Sequence, residues 1–403
     1  MFRFALKNMA VKKVQCILIV LSIVISAGVA VLAFNISTQV EKGLTGNAGY
    51  YSAIVGPSGS QTQLAMNTMY FTDSPLGTIP FEVVSQLQQD PRVTKVVPFA
   101  MADSYNGFSV VGTSPLFLQT KEVSKGQMFA DGNSMEVVVG ATVASVCQLS
   151  IGDSIYTSHS ATEQHKVPLV VVGILEQTGT VYDKTVFTQL KTIWDLHDHG
   201  HEEEEEHEET EEHHHQMHGM VCAVLVSTKN PADAMTLVND YKNKVFVDDD
   251  GDSFPLQAIE PMAVVREVLQ EANTTKYIVY VLSAVILIMN FLVIGIITFL
   301  NTFYSRKEIV LMRLIGISSS HINLMYLIQN GVIGLFAVGL AFLLTRVMIF
   351  LLSDYVSNMG VVLSAGTIYP MEFAIFGLVF AISVIPTAIW TWVMSKQDSV
   401  SGI

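Results

Sequence analysis

"VQCILIVLSIVISAGVAVLAF", residues 14–34, is a run of 21 residues without one charged side chain. How it is read decides the fold. As a cleaved leader it would leave a secreted domain followed by three apolar segments; as a retained helix it makes a fourth. The apolar core of a signal peptide is about 7–15 residues long, and a helix needs about 20 to cross a hydrocarbon layer ~30 Å thick. The run exceeds the first length and meets the second, so it reads as a retained anchor.

Three more stretches reach the same length: Tyr277–Phe303, Leu324–Leu352 and Phe373–Met394. Half of the 403 residues are hydrophobic and only 14% are charged, a balance that belongs to membrane proteins. Basic residues orient the spans. Arg3, Lys7, Lys12 and Lys13 precede the first, Arg306, Lys307 and Arg313 lie between the second and third, and Lys396 follows the fourth. All of these are expected in the cytoplasm. The segment Asp354–Pro370 has no Lys or Arg and fits the outer side.

The expected fold class is therefore an α-helical membrane protein with four transmembrane helices and a large α+β extracytoplasmic domain inserted between the first and second. Its divisions are a cytoplasmic amphipathic N-terminus (1–13), a first span (14–34), the outer domain (35–274), the stalk end and second span (275–304), a cytoplasmic segment (305–322), a third span (323–352), an outer loop (353–370), a fourth span (371–395) and a cytoplasmic C-terminus (396–403). In the outer domain, β-branched runs such as "RVTKVVPFAM", "MEVVVGA" and "KVPLVVVGIL" predict strands. "PFEVVSQLQQ" predicts a helix with Pro80 in its first turn, and "NPADAMTLVNDYKNKV" one opened by Asn-Pro. "PMAVVREVLQEANTTKYIVYVL" keeps helical spacing into the second span with no Gly or Pro, which predicts one continuous helix.

Residues 195–220 stand apart. They hold eight of the eleven histidines and nine glutamates, and with Asp195 and Asp198 carry eleven of the chain's 14 net negative charges. With almost nothing apolar to bury, this insert is expected to be disordered without metal. His197, His199, His201, His207, His213, His214, His215 and His218 are candidate ligands for Zn2+ or another divalent transition metal, since imidazole suits zinc, copper(II) and nickel(II). His197, His199 and His201 alternate, and His214 and His218 are four apart. Several weak, exchanging sites suit such a tract better than one rigid one.

Other chemistry is sparse. "DDDGD" at 248–252 lacks glycine and the bidentate acid at the positions of a calcium loop and reads as a solvated turn. No G-x-S-x-G or H-E-x-x-H is present, so nothing points to a hydrolase. Among three cysteines, only Cys147 and Cys222 suit an intrachain disulfide. Asn290 and Asn330 are placed to bond between spans, and Arg346 to snorkel at the outer end of the third. No line of acids or histidines crosses the membrane, which weighs against a channel or ion-coupled carrier.

The most specific signal is "SRKEIVLMRLIGISSSHI", 305–322, in which Gly316 offers a helix stop and Ser318–Ser320 a cap for the next helix. Its order E-I-x-L-x-R-x-x-G, Glu308 to Gly316, resembles the coupling segment of MacB/FtsX-like permeases of ABC transporters. The likeness extends to "FALKNMAVKKVQCILIVLSIVIS" at the start, to "GQMFADGNSMEVVVGATVASVCQLSIGDSIYTS" and "VVVGILEQTGTVYDKTVFTQL" in the outer domain, and to Pro386 and Asp398 near the end. Ser399, where the family commonly has proline, and the His/Glu insert depart from it.

The resemblance implies a homodimeric permease subunit in the cell (cytoplasmic) membrane, in contact with its lipids and docked on a separate cytoplasmic ABC ATPase that binds ATP. Glu308, Arg313 and Gly316 would couple the two. The chain itself is not expected to be an enzyme, and it contains no G-x-x-x-x-G-K-[ST]. ATP-driven motion would release a substrate outside, with lipoproteins, peptides, lipids and antibiotics as the family's classes. An extracytoplasmic adaptor or effector is an expected partner; nucleic acid is not. Two alternatives stay open: FtsX-like signalling or activation of an outer partner without transport, and a metal-binding membrane protein with no ATPase.

Overall fold

A computed structural model describes residues 9–72, 74–130, 132, 135–159, 164–198, 219–357 and 361–397. It divides into two units, one of residues 1–39, 272–353 and 363–403, the other of residues 40–271 and 354–362.

The first unit is built on four helices long and apolar enough to cross a membrane. Helix α1 is Lys13–Ala48; α7, α9 and α10, numbered in chain order, are Pro261–Tyr304, Ser319–Ser357 and Pro370–Gln397. Between α7 and α9 lies a short helix, α8, Arg306–Leu314. The helices outrun the apolar windows that predict them. At 1.5 Å per residue, the 44 residues of α7 extend about 66 Å, about twice the hydrocarbon thickness, and no break interrupts them.

Because lipid offers no hydrophobic gain on helix contact, small residues and paired polar groups hold such helices together. Ala27, Ala337 and Ala341 are fully buried among Ile23, Ile294 and Val379. A Cβ on Gly334 would lie 2.5 Å from Ser383 Oγ, so glycine is required for that approach. Ser22 Oγ donates to Asn290 Oδ1 at 2.6 Å, and Asn290 Nδ2 donates to Ser26 Oγ at 2.6 Å, joining α7 to α1. Asn330 Nδ2 donates to Thr387 Oγ1, joining α9 to α10.

Arg346 differs from its expected snorkelling. Its side chain is 13% exposed and pairs through Nη2 with Glu372, which is 1% exposed. Nη1 donates to the Thr367 carbonyl at 2.7 Å. A half-buried guanidinium this close to a carboxylate and carbonyls gains more by pairing than by reaching for water. Glu372 Oε1 also accepts from Tyr369 N at 2.9 Å, so the same carboxylate closes the first turn of α10, where Pro370 stands at the first helical position.

The second unit is α+β. Its main sheet runs β12-β13-β1-β11-β3-β4-β9-β6-β8-β5, with β7 beside β8. These strands are β1 Ala53–Pro57, β3 Val93–Tyr105, β4 Phe108–Thr113, β5 Val123–Gly126, β6 Glu136–Val139, β7 Ser154–Ile155, β8 Leu169–Leu175, β9 Thr185–Gln189, β11 Ala223–Thr228, β12 Val245–Val247 and β13 Ser253–Ile259. Pairing is antiparallel except β4 with β9 and β6 with β8. A small pair, β2 Ile79–Pro80 and β10 Met220–Val221, stands apart. Helices α2 to α6 are Gln61–Tyr70, Glu82–Gln89, Ala141–Val146, Leu190–Asp198 and Pro231–Tyr241. The core centres on Phe71, Phe99, Phe117, Tyr182 and Phe187, whose rings meet at 5.4–6.5 Å.

Pro80 is not in the first turn of α3: it pairs with Met220, and the helix starts at Glu82, because an available strand partner favours the extended backbone proline also accepts. Asn230 does cap α6, its side chain accepting from Asp233 N at 2.9 Å with Pro231 next. "DDDGD" forms a turn between β12 and β13, Asp248 Oδ1 accepting from Asp252 N at 2.7 Å. Cys147 and Cys222 are free thiols.

Candidate functional site

Helix α8 carries Glu308 in its first turn and Arg313 in its last, the polarity that complements a helix dipole. Nine residues make a marginal helix alone, so its ends matter. At its start, buried Ser305 Oγ accepts from Lys12 Nζ at 2.6 Å, and Lys12 also donates to Asn301 Oδ1 at 2.5 Å. The segment before α1 is thereby fastened to the α7–α8 junction. Burial pushes the Lys12 ammonium below the ordinary lysine range, and the nearby Glu308 charge acts against that shift. The sequence marks Lys12 only as one of several inner-side charges. Arg3, Lys7 and Asp398 lie outside the described residues.

At its end, Ile317 N donates to the Met312 carbonyl at 3.0 Å and Gly316 N to the Arg313 carbonyl at 2.9 Å, with Gly316 at φ +92°. These two bonds define a Schellman closure, which satisfies the last carbonyls and requires a left-handed residue at position 316. Ile309 packs inward against Ile322, Met325 and Tyr326. On the other side Val310, Leu311, Leu314 and Ile315 are exposed, the last two by 78% and 77%. Glu308 is exposed and Arg313 half-buried.

A second grouping lies in the α+β unit. Gly112 of β4 lets α5 approach closely, since a Cβ there would meet Ile193 at 2.4 Å. That contact sets the end of α5, where His197 sits, beside β3. Asp103 of β3 has no side-chain exposure, and its Oδ1 lies 3.2 Å from His165 Nε2, 3.4 Å from His159 Nδ1 and 3.4 Å from His197 Nε2. The loop bearing His159 and His165 is held by Ser158 pairing with Ser104 and by His165 N donating to the Thr157 carbonyl at 2.9 Å. Burial would raise the Asp103 carboxyl, but the three imidazoles outweigh it and hold the group below the usual carboxylate range. Of the eight tract histidines only His197 is among the described residues; His199, His201, His207, His213, His214, His215 and His218 lie outside them. Sequence reading misses Asp103, His159 and His165.

Four apolar helices, a short amphipathic helix between two of them, and a large α+β unit define a multi-pass membrane protein with an extracellular-type domain. Residues 16–243 match the model of the MacB-like periplasmic core domain, and residues 280–398 that of the FtsX-like permease C-terminal domain. The chain belongs to the MacB/FtsX-like ABC transporter permease family, whose permeases work with an ABC ATPase. Among solved structures it is similar to the periplasmic region of MacB from Actinobacillus actinomycetemcomitans, at 7% identity and TM-score 0.34, covering 55% of this chain and 93% of that one. It is also similar to the extracellular domain of the noncanonic ABC-type transporter YknZ from Gram-positive bacteria, at 14% identity and TM-score 0.32, covering 51% and 99%. No curated protein matches the chain.

Proposed function

We propose that the chain is the permease subunit of an ABC complex in the cytoplasmic membrane. It works as a homodimer and couples ATP hydrolysis by a separate ATPase to movement of its α+β domain. That movement exports or releases a substrate at the outer face. The observation that carries this reading is the exposed apolar side of α8, Val310, Leu311, Leu314 and Ile315, on a helix fastened at both ends. Val310, Leu311 and Leu314 lie on the nine-residue helix and Ile315 caps it, and a protein partner at the inner face is the covering that the coupling reading assigns to them. Glu308 and Arg313 flank this face and supply charge for orientation. Because α8 follows α7 across Ser305 alone, and α7 is one helix from Pro261, a push on α8 has a continuous backbone along which to act.

The test is reconstitution of the chain with its ATPase. Glu308→Lys and Arg313→Glu are expected to leave the basal ATPase rate in place while abolishing its dependence on the permease and its output. If both variants couple as the parent does, α8 is not the input of force.

A further inference from the structure

We propose that Asp103, His165 and His197 form a stoichiometric zinc site within the folded α+β unit, with His159 at its rim. It shares only His197 with the His/Glu tract, whose binding is expected to be loose, and it goes beyond the permease reading without depending on it.

The geometry of Asp103 Oδ1 carries the inference. Three imidazole nitrogens converge on this single oxygen at 3.2, 3.4 and 3.4 Å. A carboxylate oxygen offers about two lone-pair directions, and charge-assisted N–H···O bonds run about 2.7–2.9 Å. His165 at 3.2 Å makes one ordinary hydrogen bond, but three donors on one oxygen are too many, and the other two stand beyond hydrogen-bond range. Were the cluster built only to satisfy a buried carboxylate, the donors would be shared between its oxygens; Oδ2 instead has Thr157 Oγ1 at 3.5 Å. His197 Nε2 is buried and has no hydrogen-bond partner.

A central cation resolves each of these features. With zinc–ligand bonds of about 2.0–2.1 Å, neighbouring ligands of a tetrahedron lie about 3.3 Å apart. That is the spacing of all three nitrogens from Oδ1. The ligand atoms of Asp103, His165 and His197 all fall within 4.8 Å of one another, a spread that side-chain rotation closes. Imidazole-rich coordination selects zinc, copper(II) or nickel(II) over calcium and magnesium. Three protein ligands with one position left for water, without strong tetragonal preference, suit zinc. His159, 55% exposed, leaves a way in for the ion.

The ligands come from β3, from the loop between β7 and β8, and from the end of α5. Bound metal would crosslink three segments, of which only the loop and β3 are otherwise joined by backbone bonds, through Ser104 and Ser158. In sequence His197 also opens the His/Glu tract, so the segment richest in weak ligands leads directly into the site.

The experiment uses the full chain in detergent, intact and lacking residues 199–218, and titrates zinc against a chromophoric chelator. The shortened protein is expected to keep one zinc per chain, with an affinity that His165→Gln lowers by more than the ~100-fold that loss of an outer-shell partner can cost. Cobalt(II) in its place should give the visible bands of a tetrahedral site. Should His165→Gln fail to fold by circular dichroism, His197→Gln at the end of α5 replaces it and is expected to change the cobalt spectrum and weaken zinc. A shortened protein that binds no zinc, or one in which neither substitution alters affinity or spectrum, overturns the proposal.

Discussion

Gly316 gives the most direct handle on the end of α8. Its φ of +92° lies in the region L side chains avoid, and a Cβ built on it has nothing within 4 Å. A substitution there costs backbone conformation and no steric clash. For an L residue this cost is about 1–2 kcal/mol. Concentrated on the closing turn, it shifts the balance between capped and frayed ends by a factor of about 5–30. Hydrogen exchange reads the change, because the amide of Ile317 donates to the Met312 carbonyl only while the turn is closed. Exchange at Ile317 is expected to rise by that factor in Gly316→Ala and further in Gly316→Val. Gly316→Asn, whose side chain tolerates the left-handed region, should restore part of the protection. Unchanged exchange at Ile317 in Gly316→Val would refute the reasoning, since the cap would then contribute nothing to closure.

Three further outcomes are expected. Glu372→Gln leaves the Arg346 charge half-buried beside a neutral partner and should cost about 3–5 kcal/mol, whereas replacing both residues by methionine should cost much less; thermal unfolding in detergent that ranks the double variant below the single one contradicts this. Burial pushes the Cys222 thiol up to about 11, so maleimide at pH 8 should leave it unlabelled in the folded chain and modify it in denaturant; fast labelling without denaturant shows that the link between β10 and β11 opens. Hydrogen bonds from Arg92 hold the Asp90 carboxyl below its ordinary range against the opposing effect of burial. The resulting stability is present above the unfolded value of about 3.9 and is lost as pH falls through the lower folded one. Arg92→Ala should thus cost about 0.5–1 kcal/mol at pH 7, discounted for exposure, and converge with the parent in acid; a difference that persists there assigns the effect to packing.

What the sequence makes legible follows from the range of the interactions involved. The four long helices are written in composition, because a hydrocarbon solvent penalises every charge along a stretch of about 20 residues. The cap of α6 and the stop after α8 are also local, set by Asn230–Pro231 and by Gly316. The start of α3 is not: Pro80 is compatible with a helix or a strand, and Met220, 140 positions away, decides the matter. Asp103 is hidden for the same reason. His165 is 62 residues away and His197 is 94, and only the order of strands brings them to one oxygen. One signal does exist, a carboxylate at a buried position of a strand whose other inward residues are apolar, in "VVPFAMADSY". A charge there needs partners, and the two folded-domain histidines outside the tract are the obvious candidates.

The two fastenings of α9 differ in strength, and the difference bears on how force could travel. Near its N-terminus, Ile322, Met325 and Tyr326 grip α8 through Ile309, and the turn that joins the two helices rests on the conformation of one glycine. Toward its C-terminus, Arg346 joins a buried carboxylate that itself closes the first turn of α10. From Ile322 to Arg346 the helix rises about 36 Å at 1.5 Å per residue, more than the hydrocarbon thickness. Breaking the Arg346 end strands a charge in a poorly solvated setting, at about 3–5 kcal/mol, while each of the two backbone bonds that close the α8 end contributes only about 0.5–1.5 kcal/mol. Under the proposed coupling, a load on this bundle meets its less costly closure at the end of α8. An element that must respond to a partner while the rest of the membrane unit keeps its packing belongs at the weaker end, which is where Glu308, Arg313 and the exposed apolar side chains lie.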